Sequence, residues 1–280
     1  MNYEQLEARI GMWARTQPAV RAVIICGSRA RGDADRWSDL DAILFTTERE
    51  RYVADPGWLS ALGAPLVTYL EDTDGGDPEW YVVYAGGVKL DVVMLRVEDA
   101  SPDLDALLPL YPYQGVFARG IRVLFDRLGT PRVIAPKPVP PPASPTAAEF
   151  ANRVSGFLMA AATTAKFIAR GDYWRAQRWF ANDLHVHLLA LIEWHARASD
   201  AERDTWYAGR FIEQWADPRA VAALPQSFAL YERDSLQRAL WAMLDLFRVL
   251  GEETAARLGY AYPIEAHEQI AALVREILDE

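Results

Sequence analysis

The sequence predicts an α+β protein: an N-terminal mixed β-sheet domain with flanking helices, followed by a C-terminal helical bundle. Three observations carry the prediction. Short β-branched and apolar runs recur through the first half, and after residue 146 the apolar periodicity becomes 3.6. Between the two, seven prolines (131, 136, 138, 140, 141, 142 and 145) fall within fifteen residues. Proline removes a backbone donor and drives its predecessor to extended geometry, so this stretch reads as a stiff connector in which nothing regular forms. The expected organisation is one domain over 1–130, a connector over 131–145 and a second domain over 146–280. With 280 residues, 51% hydrophobic and 24% charged, each half has the apolar surface for its own core.

Residues 3–16 place Leu6, Ile10 and Trp13 at helical spacing, and 20–26 is a β-branched run that stops at Gly27. Residues 40–45, 66–70, 80–84, 89–95 and 123–125 follow as strands, with Gly86-Gly87 as a turn. Ser101, Pro102 and Asp103 ahead of an apolar run read as a helix start. The second half gives long helices near 146–169, 174–198, 232–258 and 263–278, and short connections make an antiparallel bundle the expected packing.

The formal charge is −10, and neither half is basic: residues 1–145 hold 15 basic and 20 acidic side chains, residues 146–280 hold 14 and 19. A protein that tracks a phosphate backbone needs a Lys/Arg surface, so long nucleic acids are excluded as expected partners, whereas a cationic small molecule is attracted. An acidic surface also simply keeps a protein soluble. Only Lys89, Lys137 and Lys166 are lysines, a composition bias. No apolar run is long enough to cross a membrane, and the N-terminus is amphipathic, so the expected location is the cytoplasm, with no membrane partner. The single cysteine, Cys26, makes no internal disulfide and reads as a small core residue. His185 and His187 diverge on a helix, His195 and His267 lack a partner at ligand spacing, and no zinc site is expected. The expected oligomeric state is a monomer or weak homodimer.

The chemistry concentrates in ICGSRARGDADRWSDLDAILF, the segment ending at Phe45. A strand ends in Gly27-Ser28, and Asp39 and Asp41 follow at the start of the next strand. Alternate strand residues share a face, so the two carboxylates project side by side. Ionising both is costly unless a cation sits between them, and a hard divalent ion with oxygen ligands answers that need. Gly27 lets the backbone approach closely, and Ser28 offers a hydroxyl and an N–H suited to the outer phosphates of a nucleotide. Arg29 and Arg31 add positive charge there. Asp33-x-Asp35 and Asp103-x-Asp105 repeat the spacing but lie in a polar turn and at a helix start. Asp39 and Asp41 alone also have a third strand-borne acid, Asp91 in VKLDVVML. A buried acid without a partner is costly, which directs Asp91 to the same cations. An edge-strand residue facing solvent is the alternative.

This constellation of Gly-Ser, spacer, Asp-x-Asp and later strand-borne acid resembles the nucleotidyltransferase superfamily related to DNA polymerase β. Within it the chain is similar to the aminoglycoside 6-adenylyltransferases, which inactivate streptomycin. The proline-rich connector, FIARGDYWRAQRWFAND (167–183) and LGYAYPIEAHEQI (258–270) extend the resemblance over most of the chain, while heavy arginine use and the 204–224 region depart from it. The resemblance implies two Mg²⁺ ions on Asp39 and Asp41 and ATP as co-substrate. Its phosphates would lie against Gly27 and Ser28, with Asp91 as metal ligand or proton acceptor. Glu79 is the second candidate for that proton. The implied acceptor is a cationic antibiotic, drawn to the acidic stretch Glu71, Asp72, Asp74, Asp77 and Glu79, which as a solvated turn would equally block edge pairing. In the helical domain Asp172, Trp174, Trp179 and Asp183 are candidates to close on the acceptor. The two tryptophans, five apart, do not share a stripe. Tyr260 and Tyr262 are open in the same way. Lys166, or Arg175 or Arg178, is placed to reach the triphosphate.

Two other readings stay open: transfer of AMP to a lincosamide-type antibiotic or a protein tyrosine, and a nucleotidyltransferase fold kept as a binding protein without turnover. The complete acid triad argues against the second.

Overall fold

Seven strands form one mixed sheet in the N-terminal unit of the computed structural model, which describes residues 1–98, 104–127, 129, 132–137 and 142–279. They are β1 (Val20–Cys26), β2 (Leu40–Thr46), β3 (Pro65–Asp72), β4 (Pro78–Tyr84), β5 (Val88–Arg96), β6 (Ile121–Asp126) and β7 (Arg132–Ile134). Their order across the sheet is β3-β4-β5-β2-β1-β6-β7. Only β2 and β5 pair in parallel; the other neighbours are antiparallel. The helices of this unit are α1 (Tyr3–Thr16), α2 (Gly27–Arg31), α3 (Arg49–Ala54), α4 (Leu104–Leu107) and α5 (Gln114–Phe117).

Each strand's alternation splits its side chains between two cores. Ala42, Leu44, Leu90, Val92 and Met94 are buried with Leu6, Ile10 and Trp13 of α1. Ile43, Phe45, Val93 and Leu95 are buried with Leu104, Leu107 and Phe117 of α4 and α5. Helix α1 starts where Asn2 and Gln5 cap each other reciprocally, a device that satisfies two free backbone N–H groups. The helix start read at Ser101, Pro102 and Asp103 lies outside the described residues.

The expectation that nothing regular forms in the connector is corrected by β7, which pairs with β6 at the margin of the sheet. Arg132, Val133 and Ile134 lie between Pro131 and Pro136 and keep their own N–H groups, and β-branched residues suit an edge strand.

The chain divides into two compact units, Met1–Pro140 and Pro141–Glu280. The second is helical: α6 (Ala147–Ala169), α7 (Tyr173–Trp179), α8 (His185–Ser199), α9 (Ile212–Trp215), α10 (Pro218–Ala223), α11 (Arg233–Leu258) and α12 (Ile264–Asp279). Its core centres on Phe157 of α6 and Phe247 of α11, stacked with ring centroids 3.7 Å apart. The helix expected over 174–198 is interrupted by a π-helical turn, Phe180–Leu184, where the Phe180 carbonyl accepts from both the backbone N–H and Nδ1 of His185. Short connections also prove wrong between α8 and α11. Residues 200–232 hold only brief helical turns, because Gly209, Pro218 and Pro225 break the periodicity.

A polar network ties that irregular segment down and gives His195 partners far from it in sequence. His195, 2% exposed, lies 2.8 Å from Glu253 Oε2 through Nε2, and Arg219 bonds both Glu253 and Asp217. His195, Asp217 and Glu253 bring three ligand atoms within 4.8 Å, but Arg219 and Arg257 already occupy those atoms, so the cluster is an ion-pair hub. Arg219 first holds Asp217 and Glu253 down to about 2, from ordinary values of 3.8 and 4.5. Carboxyls depressed in the fold contribute stability above the ordinary range and lose it as pH falls towards about 2. Arg219→Ala is therefore expected to lower the melting temperature at pH 7 by about 2–4 °C, the pair being solvent-screened. The gap to the unsubstituted protein should close as melts are repeated from pH 4.5 down to pH 2.

Candidate active site

The parallel register sets Asp41 of β2 opposite Asp91 of β5. The same row continues across the sheet: Cys26 opposes Asp41, Tyr81 opposes Asp91 and Tyr69 opposes Tyr81. Ile43 and Val93, two residues further along, belong to the core under α4 and α5. The carboxylates therefore lie on that face of the sheet, beyond its apolar cover. Asp39 joins from just before β2 through Lys89, whose Nζ lies 2.8 Å from Asp39 Oδ2 and 2.8 Å from Asp91 Oδ2. Asp39 and Asp91 are thus brought together on an ammonium group absent from the expected site, with Asp41 opposite Asp91 in the sheet. The signal was available: Lys89 stands two residues before Asp91 and shares its face.

Burial, then Asp91 and Asp39, push the Asp41 carboxyl above the ordinary range. Burial raises Asp91 as well, Asp39 adding to it, although Lys89 works the other way. Burial pulls the Lys89 ammonium down, but its bonds to Asp39 and Asp91 outweigh that and hold it above its ordinary value. Asp91 Oδ1 is buried and has no hydrogen-bond partner among the described residues. Gly27, at φ 68°, leaves the Asp41 carboxylate space that a side chain would fill: a Cβ there would lie 2.0 Å from Asp41 Oδ2. Asp91 with its orphaned oxygen, Asp41 opposite it and Asp39 across the Lys89 ammonium are the hard oxygen donors that could hold a divalent cation here. Among the described residues, however, their oxygens do not all lie within 4.8 Å of one another as those of the His195 cluster do.

Ser28, the second residue of α2, has only 6% of its surface exposed, and its hydroxyl has no hydrogen-bond partner among the described residues. Arg31 bonds Asp33, and its charge reaches Asp41, lowering that carboxyl against the larger opposing effects. Arg29 donates through Nε and Nη2 to the carbonyls of Ser38 and Asp39, and its guanidinium lies 3.4 Å from the Tyr3 ring centroid. These contacts fix the turn that delivers Asp39, while the guanidinium keeps its positive charge.

Glu79 stands on β4, on the same face as Asp91. Its carboxyl is raised by burial and accepts a 2.7 Å bond from Tyr81 Oη. Of the other acids in the stretch, Asp77 bonds Arg49 and the Tyr113 hydroxyl, so it is not part of a free solvated turn. Cys26 is buried, and burial pushes its thiol up, away from nucleophilic character.

In the second unit Trp174 is 69% exposed, whereas Trp179 packs on the core with its ring 5.9 Å from Phe167. Trp179 is thus a half-buried packing residue. Asp172 caps α7 and pairs with Arg175, Asp183 is half-buried in the π-helical turn and Lys166 is exposed on α6. Tyr260 and Tyr262 have structural partners, the Pro145 carbonyl and His267 Nδ1.

A family model described as streptomycin adenylyltransferase matches residues 1–277. An aminoglycoside 6-adenylyltransferase of Staphylococcus aureus is 22% identical over 274 residues, 91% of each chain. Among solved structures, an aminoglycoside 6-adenyltransferase from Bacillus subtilis aligns at TM-score 0.47 with 18% identity over 99% of each chain. A nucleotidyltransferase-like protein from Exiguobacterium sibiricum aligns at TM-score 0.34 with 10% identity over 91% of this chain and 78% of its own.

Proposed function

The chain belongs to the streptomycin adenylyltransferase family, a class of nucleotidyl-transferring enzymes, and on that premise we propose that it moves AMP from ATP to a hydroxyl of a streptomycin-type aminoglycoside. The 6-position is the hydroxyl assigned, by likeness to the relative named for it, and pyrophosphate is the leaving group. The observation that carries the reading is the meeting of Asp39, Asp41 and Asp91 on one sheet face, beside a glycine whose missing side chain makes room for Asp41.

Asp39 and Asp41, with Asp91, are the residues to hold magnesium, two ions on the family pattern. When bound, the metal supplies neutralisation of the phosphate charge and acidification of the attacking hydroxyl. Ser28 offers its unbonded hydroxyl and the backbone at Gly27–Ser28 its N–H groups to the outer phosphates, with Arg31 adding charge. The hydroxyl proton has two acceptors available, Asp91 and Glu79. Burial raises Glu79 towards the working range of a general base, and the Tyr81 hydroxyl occupies only its Oε2. Exposed Trp174 and Lys166 and half-buried Asp183 are the second unit's candidates for acceptor and triphosphate. The reading places the enzyme in the cytoplasm, with its ATP. Among the described residues no helix is long and apolar enough to cross a membrane.

Arg29→Met separates positioning from phosphate binding. The expected result is a kcat lower by about tenfold or more with KM for ATP changed less than about threefold, because a misplaced acid costs the reaction step and not nucleotide binding. A steep rise in KM alone would instead assign Arg29 to the phosphates. The function itself is tested by incubating the protein with Mg·ATP and a panel of aminoglycosides and lincosamides, recording pyrophosphate and product mass. Adenylylated streptomycin is expected. Silence across the panel with intact ATP binding would favour a protein acceptor or a non-catalytic binder.

A further inference from the structure

Like-charged carboxylates this close need a cation between them, and the fold already supplies one. Among the described residues Lys89 is the basic side chain that bonds two of the three acids, with Nζ at 2.8 Å from Asp39 and 2.8 Å from Asp91. Arg29 is committed to the Ser38 and Asp39 carbonyls and Arg31 to Asp33. A divalent ion and the Lys89 ammonium therefore compete for the same carboxylates, Asp39 and Asp91.

We propose that Lys89 is a resident counter-ion, which holds the acids together in the metal-free protein and has to leave for the metal to bind, so that this one side chain sets the metal affinity. The inference rests on the metal-dependent reading above. The lysine side chain is 34% exposed, and a flexible stem with a compact, strongly hydrated charge can turn out to solvent without repacking the sheet, as a planar guanidinium fork could not. Asp41 receives no bond from Lys89, and Asp91 Oδ1 is left over, so one ammonium leaves donor atoms unsatisfied that a divalent ion can use.

The test is calorimetric titration of Mn²⁺, alone, into the unsubstituted protein and Lys89→Met. The variant is expected to bind about tenfold or more tightly, a competing positive charge having been removed. In EDTA it should melt below the unsubstituted protein, and saturating Mn²⁺ should abolish that deficit. Equal or weaker binding by the variant, with binding by the unsubstituted chain, overturns the inference and leaves the functional reading standing. Binding by neither removes the metal-dependent reading and the inference with it. Amine labelling decides the matter even if the variant fails to fold, because the chain has only three lysines, 89, 137 and 166. In the unsubstituted protein Lys89 should be labelled several-fold faster in saturating Mn²⁺ than in EDTA, with Lys137 and Lys166 as internal references. An unchanged Lys89 rate overturns the proposal.

Discussion

Asp41→Asn is expected to lower adenylyl transfer by about three orders of magnitude or more, while leaving the melting temperature of the metal-free protein unchanged or raised. On the proposed function the loss follows from removing a charged metal ligand, the bound metal contributing several kcal/mol of transition-state charge stabilisation and each 1.36 kcal/mol being a factor of about ten. The unchanged or higher stability follows from the same crowding. Burial and the neighbouring Asp91 and Asp39 hold the Asp41 carboxyl above the ordinary 3.8. A carboxyl raised in this way contributes stability that is full below the unfolded value and declines as pH rises through the folded one. At neutral pH the ionised group is a liability, which asparagine removes. In EDTA the unsubstituted protein should therefore melt higher at pH 5 than at pH 8 by more than Asp41→Asn does. A variant that keeps a tenth of the activity, or that melts well below the unsubstituted protein, would contradict this account of Asp41.

Gly27→Ala should be the most damaging change that adds a single methyl group. The new Cβ would lie 2.0 Å from Asp41 Oδ2 and 3.0 Å from its Cγ, so either the carboxylate or the β1–α2 junction has to move. The backbone also stands at φ 68°, where a side chain costs about 1–2 kcal/mol by itself. Gly32→Ala separates the two effects, because Gly32 has φ 82° with nothing within 4 Å of the place its methyl group would take. The Gly32 variant should lose about 1–2 kcal/mol of stability and keep its activity within a few-fold. The Gly27 variant should lose more stability and about a hundredfold or more in turnover, since displacement of a reacting group by about 1 Å has that cost. Comparable activity in the two variants would mean that the approach of Gly27 to Asp41 has no bearing on catalysis.

Much of this architecture is legible in the residues because period-two alternation and helical spacing are local signals. Leu6, Ile10 and Trp13 announce α1, and the runs ending at Cys26, Phe45 and Leu95 announce strands whose acids must share a face. The meeting of Asp41 and Asp91 depends on a parallel pairing between strands fifty residues apart, yet an acid inside an apolar strand already required a partner. Other features depend on contacts that no local pattern carries. Lys89 and Asp39, fifty residues apart, meet only once β5 lies beside β2. Arg29 meets the Ser38 and Asp39 carbonyls only when the 33–39 turn folds back onto it. His195, Glu253 and Arg219 are dozens of residues apart and meet only through the packing of α8 and α11. β7 is hidden because prolines mask a three-residue pairing segment.

The most direct measurement is a crystal structure with Mn²⁺ and a non-hydrolysable ATP analogue, the metal located by its anomalous scattering. The account predicts manganese bound to the carboxylates of Asp39 and Asp41, Asp91 facing it, and the outer phosphates against Gly27 and Ser28. Manganese elsewhere, or nucleotide bound while Lys89 still bridges Asp39 and Asp91 with no metal between the acids, would contradict it.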